Sequence, residues 1–183
     1  FNYKATGRYK ITQDWSLRAA ASTGFRAPSL HQIYFNSTST LFIDGVPFEV
    51  GTFSNTSRIA RILGIPTLKE ETSVSFTGGI TGRIPAANLT LTVDAFQVEI
   101  DDRVVLTGQF DPSDGKTPDH QDQLNTLFAG ANAESATFFA NAIDTRTRGV
   151  DVVLTHALRF GNNNRLTTSL AAIFSKTEQI GDV

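Results

Sequence analysis

The chain has no cysteine and no methionine among its 183 residues, and a single tryptophan. Without cysteine there is no disulfide framework, no thiolate nucleophile and no cysteine-ligated metal or iron–sulfur site. Charge of either sign is sparse: 19% of residues are charged, 16 basic against 18 acidic, for a net charge of -2. No run of Lys and Arg supplies the clustered positive charge that tracks a phosphate backbone, which argues against nucleic acid as a partner. Long hydrophobic runs are missing too. No stretch approaches 18 consecutive apolar residues, so no helical span is expected, whereas membrane β-strands need only about 9 to 11 residues of alternating polarity. The missing methionines include an initiator, and Phe1 already stands in a patterned segment, so a piece of a longer chain is expected.

What is present is a period of two, which places alternate side chains on opposite faces of a sheet. Tyr3, Ala5, Gly7, Tyr9 and Ile11 share one parity, and Lys4, Arg8 and Lys10 the other. After the break at residues 12–14, Trp15, Leu17, Ala19 and Ala21 oppose Ser16, Arg18 and Ser22, so a short turn and an antiparallel hairpin are expected. A third strand is predicted over Lys69–Gly82 and, after a turn near residues 83–88, a fourth from Leu89. In the fourth the apolar set changes parity, from Leu89, Leu91 and Val93 to Phe96, Val98 and Ile100, which predicts a β-bulge near Asp94 and Ala95. A fifth strand covers roughly Phe139–Phe160, and a sixth, with Leu166, Leu170 and Phe174, follows a turn at residues 161–164.

Three connections are therefore tight, and two, near residues 25–68 and 107–137, are long; Asp119–Ala129 is expected to form a short helix within the second. Loops of that length in a compact domain carry function or small elements of their own. Short turns at one end and long loops at the other are the habit of membrane barrels. The faces agree: the apolar ones are diluted with Thr, Gly and Ala, and the opposite ones carry Lys4, Arg8, Arg18, Glu71 and Arg165 among small hydroxyls. Lipid outside and a hydrated lumen inside suit that pattern, with Tyr9, Trp15 and Phe160 placed for an interfacial girdle. The expected fold class is all-β, an antiparallel up-and-down meander of about six strands forming part of a large transmembrane β-barrel. Edge strands near residues 2–11 and 165–175 then lack partners, so the stretch alone is expected to aggregate or to need detergent.

Catalytic constellations are lacking. His31, His120 and His156 form no i, i+4 pair and stand near no carboxylate cluster, so no metal site and no cofactor are expected. The run Ser113–Thr117 imitates the end of a phosphate loop, but Phe110 stands where the leading glycine is needed. Asp111, Asp114 and Asp119 miss the calcium-loop spacing. Glu70 with Glu71, and Asp101 with Asp102, alternate faces and present no carboxylate pair to one substrate. The chain is not expected to be an enzyme. Asn36-Ser37-Thr38 and Asn55-Thr56-Ser57 match the N-glycosylation triplet, a pattern that arises by chance in Ser/Thr/Asn-rich loops.

The stretch R-A-A-A-S-T-G-F-R-A-P-S-L-H-Q-I-Y-F from Arg18 to Phe35 resembles the barrel domain of TonB-dependent outer-membrane receptors at the turn out of a rising strand, with Gly24, Phe25, Arg26, Ala27 and Pro28 as the motif. Leu68–Ser75 resembles the L-K-x-E-x-S strand after that loop, Val93–Val105 the D-A-F-x-x-x-I-x-D-R-V strand, and Arg148–Val153 the R-G-V-[DE] opening. The resemblance implies a plugged barrel of roughly 22 strands in the bacterial outer membrane. It also implies an energy-coupled importer of scarce nutrients such as siderophore-iron, cobalamin or glycans. Outer-membrane lipid and lipopolysaccharide, the nutrient ligand and the TonB complex are the partners implied, the last through a plug domain absent from this stretch. Physically, Pro28 removes a ladder donor and holds Ala27 extended, so strand pairing should stop near Phe25, with Arg26 anchoring rim carbonyls or a lipopolysaccharide phosphate.

Cargo contacts are expected in the first long loop, from Phe35, Phe42, Phe48, Phe53, Arg58 and Arg61. Aromatics give contact area at low entropic cost, and Arg recognises carboxylate or phosphate. A soluble β-rich carbohydrate- or protein-binding or adhesion module, with the long loops as its binding edge, is the alternative reading.

Overall fold

A computed structural model describes residues 1–161 and 164–181. In chain order it contains β1 (Lys4–Lys10), β2 (Trp15–Arg26), α1 (Leu30–Tyr34), β3 (Ser37–Ile43), β4 (Val46–Thr52) and α2 (Arg58–Leu63). There follow β5 (Glu71–Ile84), β6 (Leu89–Leu106), α3 (Pro118–Gly130), β7 (Ser135–Thr137), β8 (Phe139–Phe160) and β9 (Asn164–Ile180), with 3-10 turns at Pro85–Ala87 and Pro112–Asp114. The chain divides into two compact units: residues 1–25, 72–101 and 144 onward form one, and residues 26–71 with 102–143 form the other.

The first unit is an antiparallel meander in the order β1-β2-β5-β6-β8-β9, left open, with β1 and β9 at its edges. Every chain-adjacent hairpin in it is closed by a short turn. At the first, Ile11 and Thr12 donate their amides to the Trp15 carbonyl, and the Thr12 hydroxyl accepts from the Asp14 and Trp15 amides. At the second, Pro85 opens a 3-10 turn that Asn88 ends in the left-handed region at φ 49°. At the third, Gly161 turns the chain at φ 61°; residues 162 and 163 of the expected turn lie outside the described residues. Both long connections therefore leave the meander from the opposite end.

Alternation along the ladders divides the sheet into two faces. Tyr9 pairs with Leu17, Ile80 with Val93, Gly82 with Leu91, Val152 with Ala172 and Leu154 with Leu170, all on the first face. Arg8 pairs with Arg18, Thr81 with Thr92 and Ala157 with Thr167 on the second. The second face is knit by polar contacts: Arg18 donates to Asp94 and to the Thr81 hydroxyl, and Thr147 meets Thr177 at 2.8 Å. Trp15 lies across Gly82 on the first face, where a Cβ on that glycine would fall 2.3 Å from the indole. Tyr9 and Phe160 stand on the same face near the short turns.

The expected bulge near Asp94 and Ala95 is absent. β5 and β6 pair without interruption from Thr72↔Asp101 to Ile84↔Leu89, so Phe96, Val98 and Ile100 share the second face with Asp94. The backbone keeps its register and the chemistry of the faces changes instead. Beyond Ala95 the first face carries Gln97 and Glu99, joined to Arg148 and Arg146 of β8, while on the second face Phe96 covers Gly149. The irregularity β6 does have is at Asp102, at φ 56°.

The second unit holds the three-stranded sheet β3-β4-β7, with β3 antiparallel and β7 parallel to β4, together with all three α-helices. α3 covers the helix expected at 119–129. Phe53, Ile59, Ala60, Leu63, Leu124, Phe128, Ala133, Ala136 and Phe138 form its core. Among the described residues every buried apolar side chain belongs to this unit, and none to the six-stranded sheet. A single sheet has no layer to bury against.

Candidate functional site

The strand exit is held by an ion pair that joins two motif segments far apart in sequence. β2 stops at Arg26, immediately before Ala27 and Pro28. The Arg26 guanidinium donates to Glu71 Oε1 at 2.5 Å, and the same oxygen accepts from the Val104 amide at 2.9 Å. Glu71 is buried, 7% exposed, so its carboxylate is desolvated and depends on those two donors. Arg26 thus anchors to a carboxylate where rim carbonyls were expected: the Glu of the second motif segment is its partner. At Gly24 the strands pack closely: a Cβ there would lie 2.7 Å from the Ser73 hydroxyl, which would have to rotate away.

Past Pro28 the chain is capped into α1 by Ser29 and Gln32, each side chain bonded to the other's backbone amide. Arg26, Ala27, Ser29, His31, Gln32 and Phe139 line a small pocket of about 360 Å³. His31 stacks on Phe35 with ring centroids 4.5 Å apart. Asn55, 4% exposed, donates from Nδ2 to the Pro66 and Phe139 carbonyls at 2.7 and 2.8 Å. Asn141 ties the Lys69 backbone, both amide and carbonyl, to the Asp102 carbonyl. The triplet Asn55-Thr56-Ser57 is thereby a structural device: its amide nitrogen is consumed inside the unit and its serine caps α2.

The six loop residues expected to contact cargo separate. Phe53 is 7% exposed and packs edge-on against Phe128 at 6.5 Å, so it is a core residue and leaves the candidate set. Phe35 and Phe48 are half-buried, Phe35 on His31 and Phe48 opposite Leu41. Phe42, 73% exposed, stands beside the Asp44-Gly45 turn of the β3–β4 hairpin. Arg58 and Arg61 are on the exposed side of α2, whose Ile59, Ala60 and Leu63 face the core, and Arg58 reaches Gln123 at 3.4 Å. Leu30, Tyr34, Leu41 and Val46 are exposed apolar residues of the same unit that the loop reading passed over. The Asp111 carboxyl is held below its usual range by hydrogen bonds from the hydroxyl and amide of Ser113, and caps a 3-10 turn. What this surface offers is aromatic and cationic contact, with guanidinium groups for anionic ligand groups.

A family model described as TonB dependent receptor-like, beta-barrel, matches residues 1–181. No curated protein matches the chain. Solved structures are similar: the RagAB peptide importer in its open-open state aligns with a TM-score of 0.57 at 14% identity over 98% of this chain. Its closed-closed state gives 0.54 at 15% over 97%, and a further RagAB peptide transporter structure 0.54 at 13% over 98%. The aligned region is 18% of each of those chains, so this chain spans under a fifth of their length.

Proposed function

Because this chain belongs to the TonB-dependent receptor β-barrel family, a family of outer-membrane proteins, we propose that it is a section of the wall of an outer-membrane nutrient importer, with its two long connections facing the outside. The observation that carries this reading is the meander itself: each short turn is at one end of the sheet and both long connections leave from the other. The first face, with Tyr9, Leu17, Val74, Phe76, Leu91, Val152 and Leu170, meets lipid. The second, with Arg8, Arg18, Ser73, Thr92 and Thr167, meets the hydrated interior. The change of chemistry beyond Ala95 marks where the strands leave the hydrocarbon, since a carboxylate or guanidinium on the lipid side is tolerated at the interface and costs about 2–4 kcal/mol at the midplane for Arg or Lys.

The role is recognition and passage of cargo without bond-making chemistry. Siderophore-iron, cobalamin and glycans are the cargo classes drawn from the family, and the importers of similar fold add peptides. Exposed Phe42, Arg58 and Arg61 suit a cargo bearing carboxylate or phosphate. Coupling to the TonB complex runs through a plug segment outside this stretch. The test is topological and uses the full-length receptor in intact cells. Epitopes inserted at Asp44–Gly45 or at Ser113 should bind antibody from outside, whereas epitopes at Thr12–Gln13 or Ala87–Asn88 should bind it only after the outer membrane is opened. The reverse pattern, or equal access at all sites, would refute the reading.

A further inference from the structure

The first face of β6, β8 and β9 is layered in a way that fits an amphiphile. Its last apolar rung pairs Val150 with Phe174. The next places Arg148 directly opposite Lys176, and the one beyond it places Arg146 opposite Glu178. Like charges directly opposite on a sheet are destabilising, and this chain has few charges to spend. The pair is also poorly compensated. Arg148 Nε donates to an amide oxygen, Gln97 Oε1, at 2.7 Å, and Lys176 meets Glu178 at 3.4 Å with its side chain 81% exposed. The carboxylate of Glu99 is taken by Arg146 one rung farther on. Thus the cationic rung lies nearest the apolar band, and the acidic groups lie beyond it.

Beside that rung is a shallow groove of about 620 Å³, whose apolar lining includes Phe76, Ala95, Val150 and Phe174, with Gln97 and Arg148 also at its wall. Gly78 gives it room, since a Cβ there would meet nothing within 4 Å. A shallow apolar groove with Arg148 at its wall, and Lys176 directly across the β8–β9 ladder from that arginine, is complementary to one class of ligand. We propose that this groove binds a phosphorylated lipid of the surrounding leaflet, the chain lying along Phe76, Val150 and Phe174 and the phosphate bridging Arg148 and Lys176. Charge-assisted hydrogen bonds to a phosphate remove the repulsion between the two cations and are about twice as strong as neutral ones. The inference rests on the membrane reading above.

The test uses the full-length receptor in non-ionic detergent, titrated with lipid A bearing its phosphates, with dephosphorylated lipid A and with inorganic phosphate, bound species being counted by native mass spectrometry. The unmodified receptor should hold the phosphorylated lipid at least about tenfold more tightly than the dephosphorylated one. The double substitution Arg148→Gln and Lys176→Gln should abolish that preference, and Gly78→Leu, which fills the groove and leaves the charges, should weaken both lipids. Equal binding of the two lipids by the unmodified receptor overturns the proposal without any variant. So does an unchanged preference in the double variant, or displacement by inorganic phosphate as effectively as by lipid. Membrane fractionation and heat-modifiable gel mobility test the underlying reading separately: a receptor missing from the outer-membrane fraction fails that reading, and one present there with unselective lipid binding fails this one alone.

Discussion

Glu71 shows how one side chain can hold three stretches of chain together. Its single Oε1 receives Arg26 from the end of β2 and the Val104 amide from β6. Replacing Glu71 with Ala leaves a backbone donor and a guanidinium without their acceptor, at a cost of about 1–3 kcal/mol. The Val104 amide of the full receptor should then exchange faster with deuterium, whereas Arg26→Lys, which keeps one charged donor, should have the smaller effect. Phe53→Ala empties part of a packed core and should destabilise the second unit by about 3–5 kcal/mol, where Phe42→Ala, on an exposed side chain, should stay within about 0.5 kcal/mol. Asp111 gives a pH dependence. Its folded-state value is depressed, so its contribution is fully present above the ordinary carboxylate value of about 3.9 and is lost as pH falls through the lower folded value. Protection of the Ser113 amide should hold from neutral pH to below the ordinary carboxylate range and disappear only as pH falls through the depressed folded value. These partnerships were not legible in the sequence, because Glu71 and Asn55 look like any polar residue until partners 33 and 84 residues away are brought to them.

At the level of elements, the strands were readable because period two, short turns and a capped helix are local signals. The hairpin β3–β4 lies inside the loop expected at residues 25–68, and its signal is in the sequence: Asp44-Gly45, at φ 51° and 82°, stands between two apolar runs, a strong short-range indication of a tight hairpin. The parity change in β6 differs from the expected bulge for a different reason. A face can change polarity because the backbone slips or because the surroundings change, and a single strand does not distinguish them. Spin labels do. With the observed register, labels at Leu91 and Val93 should be accessible to oxygen and labels at Gln97 and Glu99 to aqueous quencher, whereas a bulge would put Val98 and Ile100 in the lipid set. The hairpin also decides which deletion is informative. Removing residues 36–57 would take out Phe53 and Asn55 and with them part of the core, but trimming residues 40–49, within the paired arms, should leave the barrel heat-modifiable while lowering cargo affinity. Unaltered affinity would acquit the hairpin tip.

For the whole chain, the open edges β1 and β9 and the exposed first face govern behaviour in isolation. Leu170 and Phe174 are 68% and 69% exposed, and unpaired edges invite pairing with other copies. Expressed alone in water, residues 1–183 should elute as aggregate and disperse only in detergent, and a cooperatively melting monomer in gel filtration and calorimetry would contradict this. The second unit behaves differently, because its core is drawn from two excursions separated in sequence by a β-hairpin. Phe53, Ile59 and Leu63 come from the first, and Leu124, Phe128 and Phe138 from the second. The two excursions are accordingly a single transplantable cassette. A chimera that receives one of them from a relative inherits half of a jigsaw and must accommodate a mismatched Phe53–Phe128 contact, while a chimera that receives both inherits a finished surface, so recombination between such receptors should preserve the pair.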